Sequence, residues 1–548
     1  MRRVFPHSLP VLVLGFLALA ACKPSEPEPE PEPEVYLKAV VVSETSVILP
    51  ERGSRTLSFS VVDPAFPFEY NLDSPRCQVE LICTDGTVPA EFDLVKVECG
   101  SQEGTYQFTL QDNGTAKIYR QDVFLSIVDG DVRKNSLSIR VRSEAEDPNA
   151  GKIMTGLPVV YVNTQNRVAI RSKENFVAAT VSIEGTETLE GLEEVSCSIR
   201  GRGNTTWSWP KKPYLLKLDE KAKIFGMHKH KRWVLLANFM DRTLMRNLVS
   251  MKVSSMTSLA WTPGCQPVEL VLNGRHMGSY LLIEQVRVDN HRVAITEMTP
   301  EDNSGEALTG GYLLELDFHY DNEFQWIDSR GSCAQFKDGI PFSVKYPDPE
   351  DLTGAQKDYI QKYITEVAVA IYGPNFKDPE KGYAKYLDVD SFIDYWIVFE
   401  VMCNHELGNP GSVYMYKDRG GKLTAGPCWD FDWGILSFYT SGGNYGLVNG
   451  KAIWYARLFE DPDFKARVRA RFDELLPQLE TIPDYMEECR QLLTESAKLN
   501  FAMWNPAGDA NMNGGKIING DENLTFEQAV ERLKANYRTH LEVIRKNL

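Results

Sequence analysis

The sequence predicts an α+β protein, and three observations carry that prediction. Residues 36–143 alternate short apolar and polar runs between turn signals, with no helical periodicity. Strand-like runs dominate again from Val159 to Leu316, interrupted by one helical segment. From about residue 350 onward, apolar residues recur mostly at helical spacing. A strand-rich part followed by a helical part in one unit is the α+β pattern, and 548 residues make two to three domains the natural expectation.

The elements follow in chain order. Arg2 and Arg3 precede a short apolar stretch, Val11 to Ala18, too short for a spanning helix. It ends in Leu19-Ala20-Ala21-Cys22, which resembles a bacterial lipobox. Residues 1–22 are therefore expected to be a lipoprotein signal, with Cys22 lipidated and anchoring the mature chain in the cell envelope, at the outer membrane on its periplasmic or surface face. Residues 23–35, in which glutamate and proline alternate from Glu26 to Glu34, predict an extended, self-repelling stalk. An acidic tether after a lipidated cysteine resembles the surface-export signals of Bacteroidetes lipoproteins.

Strands are expected at residues 38–42, 57–62, 78–82, 106–110, 123–127 and 137–141, with turns at Asp112-Asn113-Gly114 and Asp129-Gly130-Asp131. Regular short strands of this kind predict an immunoglobulin-like β-sandwich over residues 36–143, a spacer or adhesion module without a catalytic constellation. The polar Pro/Gly run 144–151 marks a boundary, and a second domain is expected over residues 155–548. Its strands are expected at 159–162, 177–183, 214–218, 233–236, 268–272, 280–283 and 312–316, with Asn273-Gly274 as a hairpin turn. A helix is expected over 242–256. Thr353 with Gln356 reads as a capping box for a helix carrying Ile360, Ile364, Val367 and Ile371, and Thr525 with Gln528 caps a last helix. Between them Phe392, Tyr395, Trp396, Phe399 and Met402 lie on a segment apolar nearly all round, which predicts a buried helix.

A net charge of −17 excludes general nucleic-acid binding and charge-driven docking on anionic lipid. Of ten cysteines, removing Cys22 leaves an odd number, so complete internal pairing is impossible. No CxxC spacing occurs, and most are expected to be small buried hydrophobes.

Two clusters carry the chemistry. In Trp429-Asp430-Phe431-Asp432-Trp433-Gly434 an extended backbone would bury the aromatics on one face and place Asp430 and Asp432 on the other. Paired carboxylates repel unless a cation or proton lies between them, and hard oxygen ligands suit Mg²⁺ or Mn²⁺. The run Arg200-Gly201-Arg202-Gly203-Asn204-Thr205-Thr206-Trp207 leaves two readings open, an anion cradle in which Arg202 grips phosphate oxygens or a tight turn with surface arginines. Lys217, between apolar neighbours on a strand, is a candidate for nucleotide phosphates or an outward-facing edge residue. The loop Asn404-His405-Glu406-Leu407-Gly408-Asn409 offers Glu406 as a base, with Asn404 and Asn409 as metal or phosphate partners.

Read in order, several motifs resemble the CotH family, named for spore coat protein H, which has an atypical protein-kinase-like fold. They are Arg200-Gly201 with Gly203-Asn204-Thr205-Thr206-Trp207, Lys211-Lys212-Pro213-Tyr214 with Lys217, the run from His230 to Asn238 with Arg246-Asn247, and Val268-Glu269-Leu270 to Glu284-Gln285. Gly310-Gly311 through Asp317 and Pro427-Cys428-Trp429-Asp430-Phe431-Asp432-Trp433-Gly434 complete the set. The resemblance implies a bilobal domain with ATP between a strand-rich and a helical lobe. It gives Lys217 the phosphate-pairing role, puts Glu284 to Val286 at an adenine-contacting hinge, and makes Asp430 the metal-binding aspartate with Asp432 beside it. It departs from the family at Asn404-His405-Glu406, where many members carry an aspartate. The function expected is transfer of phosphate from ATP, with Mg²⁺ or Mn²⁺, to Ser or Thr of an exported protein. The alternatives are a catalytically weak pseudokinase acting as an adhesion or scaffold protein, and adenylyl transfer on the same fold.

Overall fold

Alternation of buried and outward residues builds the first of two units, residues 1–150, the second being 151–548. The computed structural model describes residues 40–548 apart from 62–77, 85, 101–104, 117–118, 130–131, 137, 144–152, 320–322, 332, 334–338, 438–445, 505–519 and 522. The signal, Cys22, the Pro/Glu stalk, Cys77 and the 144–151 linker thus lie outside the described residues.

In the first unit β1 (Val40–Val42), β3 (Ser54–Val61), β6 (Thr105–Asp112) and β5 (Phe92–Cys99) form one sheet in that order. The other runs β2 (Ser46–Leu49), β9 (Ile139–Ser143), β7 (Arg120–Asp129), β4 (Gln78–Cys83), with β8 (Val132–Asn135) also pairing with β7. β2 joins β9 in parallel. Leu57, Phe59 and Phe108 from one sheet and Leu81, Val123 and Ile139 from the other fill one core. The turn expected at Asp112 forms: its carboxylate accepts from the amides of Arg52 and Gly114, each at 3.0 Å, and from the Tyr119 hydroxyl at 2.6 Å.

The second unit begins with a closed barrel of β10 (Val159–Thr164), β11 (Val177–Glu184), β12 (Leu192–Gly201), β13 (Tyr214–Ala222), β14 (His230–Leu236), β15 (Cys265–Leu272) and β16 (Arg275–Glu284). A parallel pairing of β10 with β15, Val159 opposite Glu269 through Val162 opposite Leu272, closes it. Asn273 and Gly274 both take positive φ, 53° and 79°, as a two-residue hairpin between β15 and β16 requires. Leu216, Trp233 and Leu282 fill the barrel, while Leu215, Val234 and Ile283, one residue away on the same strands, join the larger core outside it. That core holds α2 (Arg246–Ser254) and a second sheet, β18 (Gln325–Asp328), β19 (Ile340–Tyr346), β17 (Tyr312–Leu316), β20 (Val413–Lys417), β21 (Leu423–Ala425). It also holds the long helices α3 (Gly354–Tyr372), α4 (Val389–Val401), α6 (Pro462–Leu479), α7 (Ile482–Met503) and α8 (Phe526–Asn547). Single turns α1 (Thr205–Ser208) and α5 (Tyr455–Leu458) complete the described α-helices. None of these helices is long and apolar enough to cross a membrane.

Both capping boxes form, at Thr353/Gln356 and Thr525/Gln528. α4 is buried nearly all round, as its composition predicted. Six of the eight described cysteines are buried.

Lys211 pins the barrel to α7. Its buried Nζ donates to the carbonyls of Ala237 (2.8 Å) and Ser279 and to Asn500 Oδ1 (2.7 Å). Burial pulls its pKa down to about 7, with Glu269 opposing weakly. A lysine with a folded pKa below its unfolded value costs stability where the unfolded chain holds the extra proton, so stability rises as pH climbs from about 7 towards 10.5. In Lys211→Met that rise should flatten, and at pH 7 the orphaned acceptors should cost about 1–3 kcal/mol. Urea midpoints at pH 7 and 9.5 measure both effects.

Candidate functional site

A cleft open to solvent lies between the barrel and the second sheet. Its apolar lining comes from Leu215 and Val234 on the barrel's outer face, Val286 on the segment after β16, and Leu313 on β17. Gln285 also borders it, and its buried Oε1 has no hydrogen-bond partner among the described residues. Toward the other end the lining turns charged, with Arg200, Arg202, Glu315, Asp317 and Lys345. Lys345 and Glu315 form a pair at 3.1 Å.

Beside that charged end four carboxylates gather. Asp317, at the end of β17, accepts from the amides of Ser412 (3.0 Å) and His319 (2.7 Å). Burial first, then the Glu315 charge, pushes its pKa up to about 7 against those hydrogen bonds. Glu406 is pushed well above the usual carboxylate range by burial and then by Asp430, Asp432 and Asp317. Asp432 rises by burial and the neighbouring Asp430. Asp430 rises by burial, with Arg202 pulling the other way. The Arg202 guanidinium lies 5.6 Å from the Trp429 ring centroid, which aims it at this cluster. Arg202, with a smaller pull from Arg246 on Asp432, does not neutralise four acids, so the site favours a cation or protons.

The Asp430–Asp432 segment is not the extended strand the sequence suggested. Asp430 takes φ 62°, a left-handed conformation that aspartate tolerates, and no strand forms there. Trp429 and Phe431 are still buried, and Phe431 packs on Phe399 with ring centroids 4.6 Å apart. Trp433 is only half-buried and stacks on Trp209 at 6.2 Å. The α2 pair Arg246-Asn247 positions the segment: Asn247 Oδ1 accepts from the Phe431 amide at 2.7 Å, and Arg246 Nε donates to the Ile435 carbonyl at 2.9 Å. Gly434 leaves room for the His405 ring, which a Cβ would strike.

The loop residues fall in the same place. Asn404 is fully buried, and its Oδ1 accepts from the Glu406 amide at 2.9 Å while its carbonyl accepts from Asn449. Asn404 Nδ2 and Asn409 Oδ1 are buried without a partner among the described residues. Asn204 borders the cleft and accepts from Lys173 at 3.1 Å. Thus Arg202, Asn204 and Val286 line the cleft, and Glu406, Asp430 and Asp432 meet at its charged end.

Two expected cofactor residues stand elsewhere. Lys217 is exposed on β13 outside the cleft lining, its ammonium 5.8 Å from the Phe176 ring. It shares a face with Leu215 but stands two residues farther out, beyond the cleft wall. Glu284 is buried, accepting from the Gly264 amide at 2.9 Å and facing Arg292 at 3.5 Å, so its side chain braces the barrel. The glycines of the 200–207 run also serve packing: a Cβ on Gly201 would overlap the Trp207 ring, and one on Gly203 the Thr206 hydroxyl. Lys212 is tied to the Trp207 carbonyl at 2.7 Å.

Three residues that sequence reasoning gave no site role emerge from the fold: Asp317, Arg246 and Asn247. All stood within recurrent motifs, but only chain folding brings them to Asp430.

No curated protein matches this chain. Two solved chains described as marsupial T cell receptor, 11% and 10% identical, cover 32% of this chain and 90% and 93% of their own length, at TM-scores of 0.16 and 0.17, too low to bear on the fold. The family model described as CotH kinase protein matches residues 199–545, from the end of β12 into the last helix. That span is well over half of the 548 residues and contains the cleft's charged end, α2 and the Asp430 segment, so the chain belongs to the CotH kinase family.

Proposed function

We propose that this protein is a lipid-anchored, exported phosphotransferase that binds ATP with Mg²⁺ or Mn²⁺ and phosphorylates Ser or Thr of an exported protein. The observation that carries this reading is the gathering of Asp317, Glu406, Asp430 and Asp432 at the charged end of the cleft, opposed by Arg202. Like charges held together, partly shielded from water, demand a counter-charge, and an all-oxygen donor set suits a hard divalent cation. Among the described residues no three His, Cys, Asp or Glu side chains group to cage an ion alone. Mg²⁺ seldom needs such a cage, taking one or two carboxylates and completing its shell with phosphate oxygens and water. Asp430 and Asp432 fit that role.

Bound there, a metal–nucleotide pair supplies the transferable phosphoryl group with its charge neutralised. The chain's own residues do the rest. Leu215, Val234, Val286 and Leu313 exclude water around a flat base, and the Gln285 Oε1 offers it an acceptor. Arg202 presents its guanidinium to phosphate oxygens. Glu406, its backbone held by Asn404, takes the proton of the acceptor hydroxyl in its ionised form, which a cation beside Asp430 and Asp432 would favour by offsetting the charges that raise its pKa. In this reading the barrel is the strand-rich lobe of a kinase-like fold. The first unit is an immunoglobulin-type spacer, for which the sheet orders β1-β3-β6-β5 and β9-β7-β4 correspond to strands ABED and GFC.

Incubation with labelled ATP and Mn²⁺ followed by mass spectrometry should find phosphoryl groups on Ser or Thr, and Glu406→Gln should slow transfer by about 10²–10⁴-fold. An adenylyl adduct would sink the phosphotransfer reading, and an unchanged rate in Glu406→Gln would remove the base. A binding-only scaffold is favoured by one feature, the lack of aspartate in Asn404-His405-Glu406, and it predicts nucleotide binding with no adduct.

A further inference from the structure

Phe176 gathers three cations. The Arg200 guanidinium lies 5.2 Å from its ring centroid, the Lys217 ammonium 5.8 Å and the Arg232 guanidinium 6.0 Å. The barrel register places them there: Lys217 is opposite Ser198 and Arg232 in one row, and Arg200 is opposite Leu215 in the next. Arg200 also borders the cleft, together with Arg287. The concentration is unexpected in a chain of net charge −17. Arg232 is held below the usual guanidinium range by burial and then by Arg287 and Arg200, with Asp348 offsetting only part. Asp348 also faces Arg287, at 3.5 Å.

We propose that this row is a docking subsite for acidic side chains, carboxylate or phosphoserine, of the polypeptide that receives the phosphoryl group. The inference rests on the phosphotransfer reading, since it names the chemistry of that reading's substrate. A part-exposed ring holds the cations over its face, and the exposed Lys217 ammonium beside it can meet a carboxylate in the field of the two guanidinium groups. Three features select a peptide over other polyanions. The patch runs on from the cleft through Arg200. It is narrow, converging on one ring, whereas a lipid surface needs a broad basic face. The overall negative charge opposes both lipid and nucleic acid at longer range.

The test is binding, without nucleotide, so that it stands apart from catalysis. Fluorescence anisotropy compares the full chain's affinity for a serine peptide flanked by glutamates with its affinity for the same peptide carrying glutamines. The acidic peptide should bind about tenfold more tightly, with the advantage fading in high salt. Lys217→Gln with Arg232→Gln should erase that advantage. Phe176→Leu keeps the charges but removes the ring, and should reduce the advantage while serving as the second variant if the first folds poorly. Equal affinity for the two peptides, or an advantage unchanged in both variants, overturns the proposal. It is also overturned if the double variant loses its Mg-ATP thermal shift in parallel, which would give the patch to the nucleotide, or if phosphatidylglycerol vesicles bind the chain and displace the peptide. Absence of phosphoryl transfer with the peptide preference intact would overturn the function above and leave an acidic-peptide binding site.

Discussion

Asp430→Asn is expected to abolish the rise in melting temperature that Mg-ATP causes, while the unliganded variant melts higher than the wild type. The two halves have one origin. Burial raises the Asp430 pKa, Arg202 opposes this, and Glu315 adds to it. A carboxylate with a folded pKa above its unfolded value binds protons more readily in the native state. Its contribution to stability therefore falls as pH rises from the ordinary carboxylate value of 3.8 through the folded pKa, and stays low above it. Asparagine carries no charge at any of these pH values, so the variant's advantage should be small at pH 4 and largest near neutrality. The backbone gives no reason for loss, because φ 62° suits asparagine as well as aspartate. Each kcal/mol gained should appear as about 2 °C in a domain of this size. Transfer should fall by about 10²–10³-fold. Differential scanning calorimetry at pH 4 and 8, with and without Mg-ATP, reads the whole pattern, and equal nucleotide shifts in variant and wild type would remove Asp430 from the metal site.

The second large effect is on folding. Arg246 is fully buried, donating to Asp241, to Asp521 at 2.9 Å and to the Ile435 carbonyl at 2.9 Å. Burial pulls its pKa down, and Asp241 and Asp521 more than restore it. Arg246→Ala leaves two carboxylates without solvent exposure facing a void, and breaking such a buried group costs about 3–5 kcal/mol. Arg246→Lys should recover only part, because a single ammonium cannot reproduce the planar fork that reaches three partners. Urea denaturation of the three proteins ranks them wild type, Lys, Ala. If alanine shifts the midpoint by less than lysine, the ion cluster is not what holds this region.

The legible parts of the fold were those fixed by local chemistry. Thr353/Gln356 and Thr525/Gln528 specify helix starts by reciprocal side-chain bonds, and both form. Asn273-Gly274 specifies a turn because both residues accept positive φ. The helix expected at 242–256 is shorter, Arg246–Ser254, because the residues before it are used in a turn in which Asp241 accepts from Thr243 and from the Arg246 amide. Strand β5 passed unnoticed because its burial pattern does not alternate cleanly. At the site, Asp430, Asp432 and Glu406 were visible as residue types in a rare setting. Lys217 was misplaced because strand alternation gives a side chain's face but not how far along that face the cleft extends. Asp317 and Asn247 were invisible as site residues, since neighbours 184 positions apart, as Asn247 and Phe431 are, leave no spacing to read.

Closure of the barrel by β10 and β15 bears on where this chain can be cut. The family match starts at residue 199, yet β10, β11 and most of β12 precede it. A fragment begun at that boundary would strip the partners from β13 and β15, leaving two raw edges, each a template for a neighbouring molecule's backbone. Expression from residue 199 should yield aggregates, whereas a start ahead of Val159 keeps every rim hydrogen bond within one molecule.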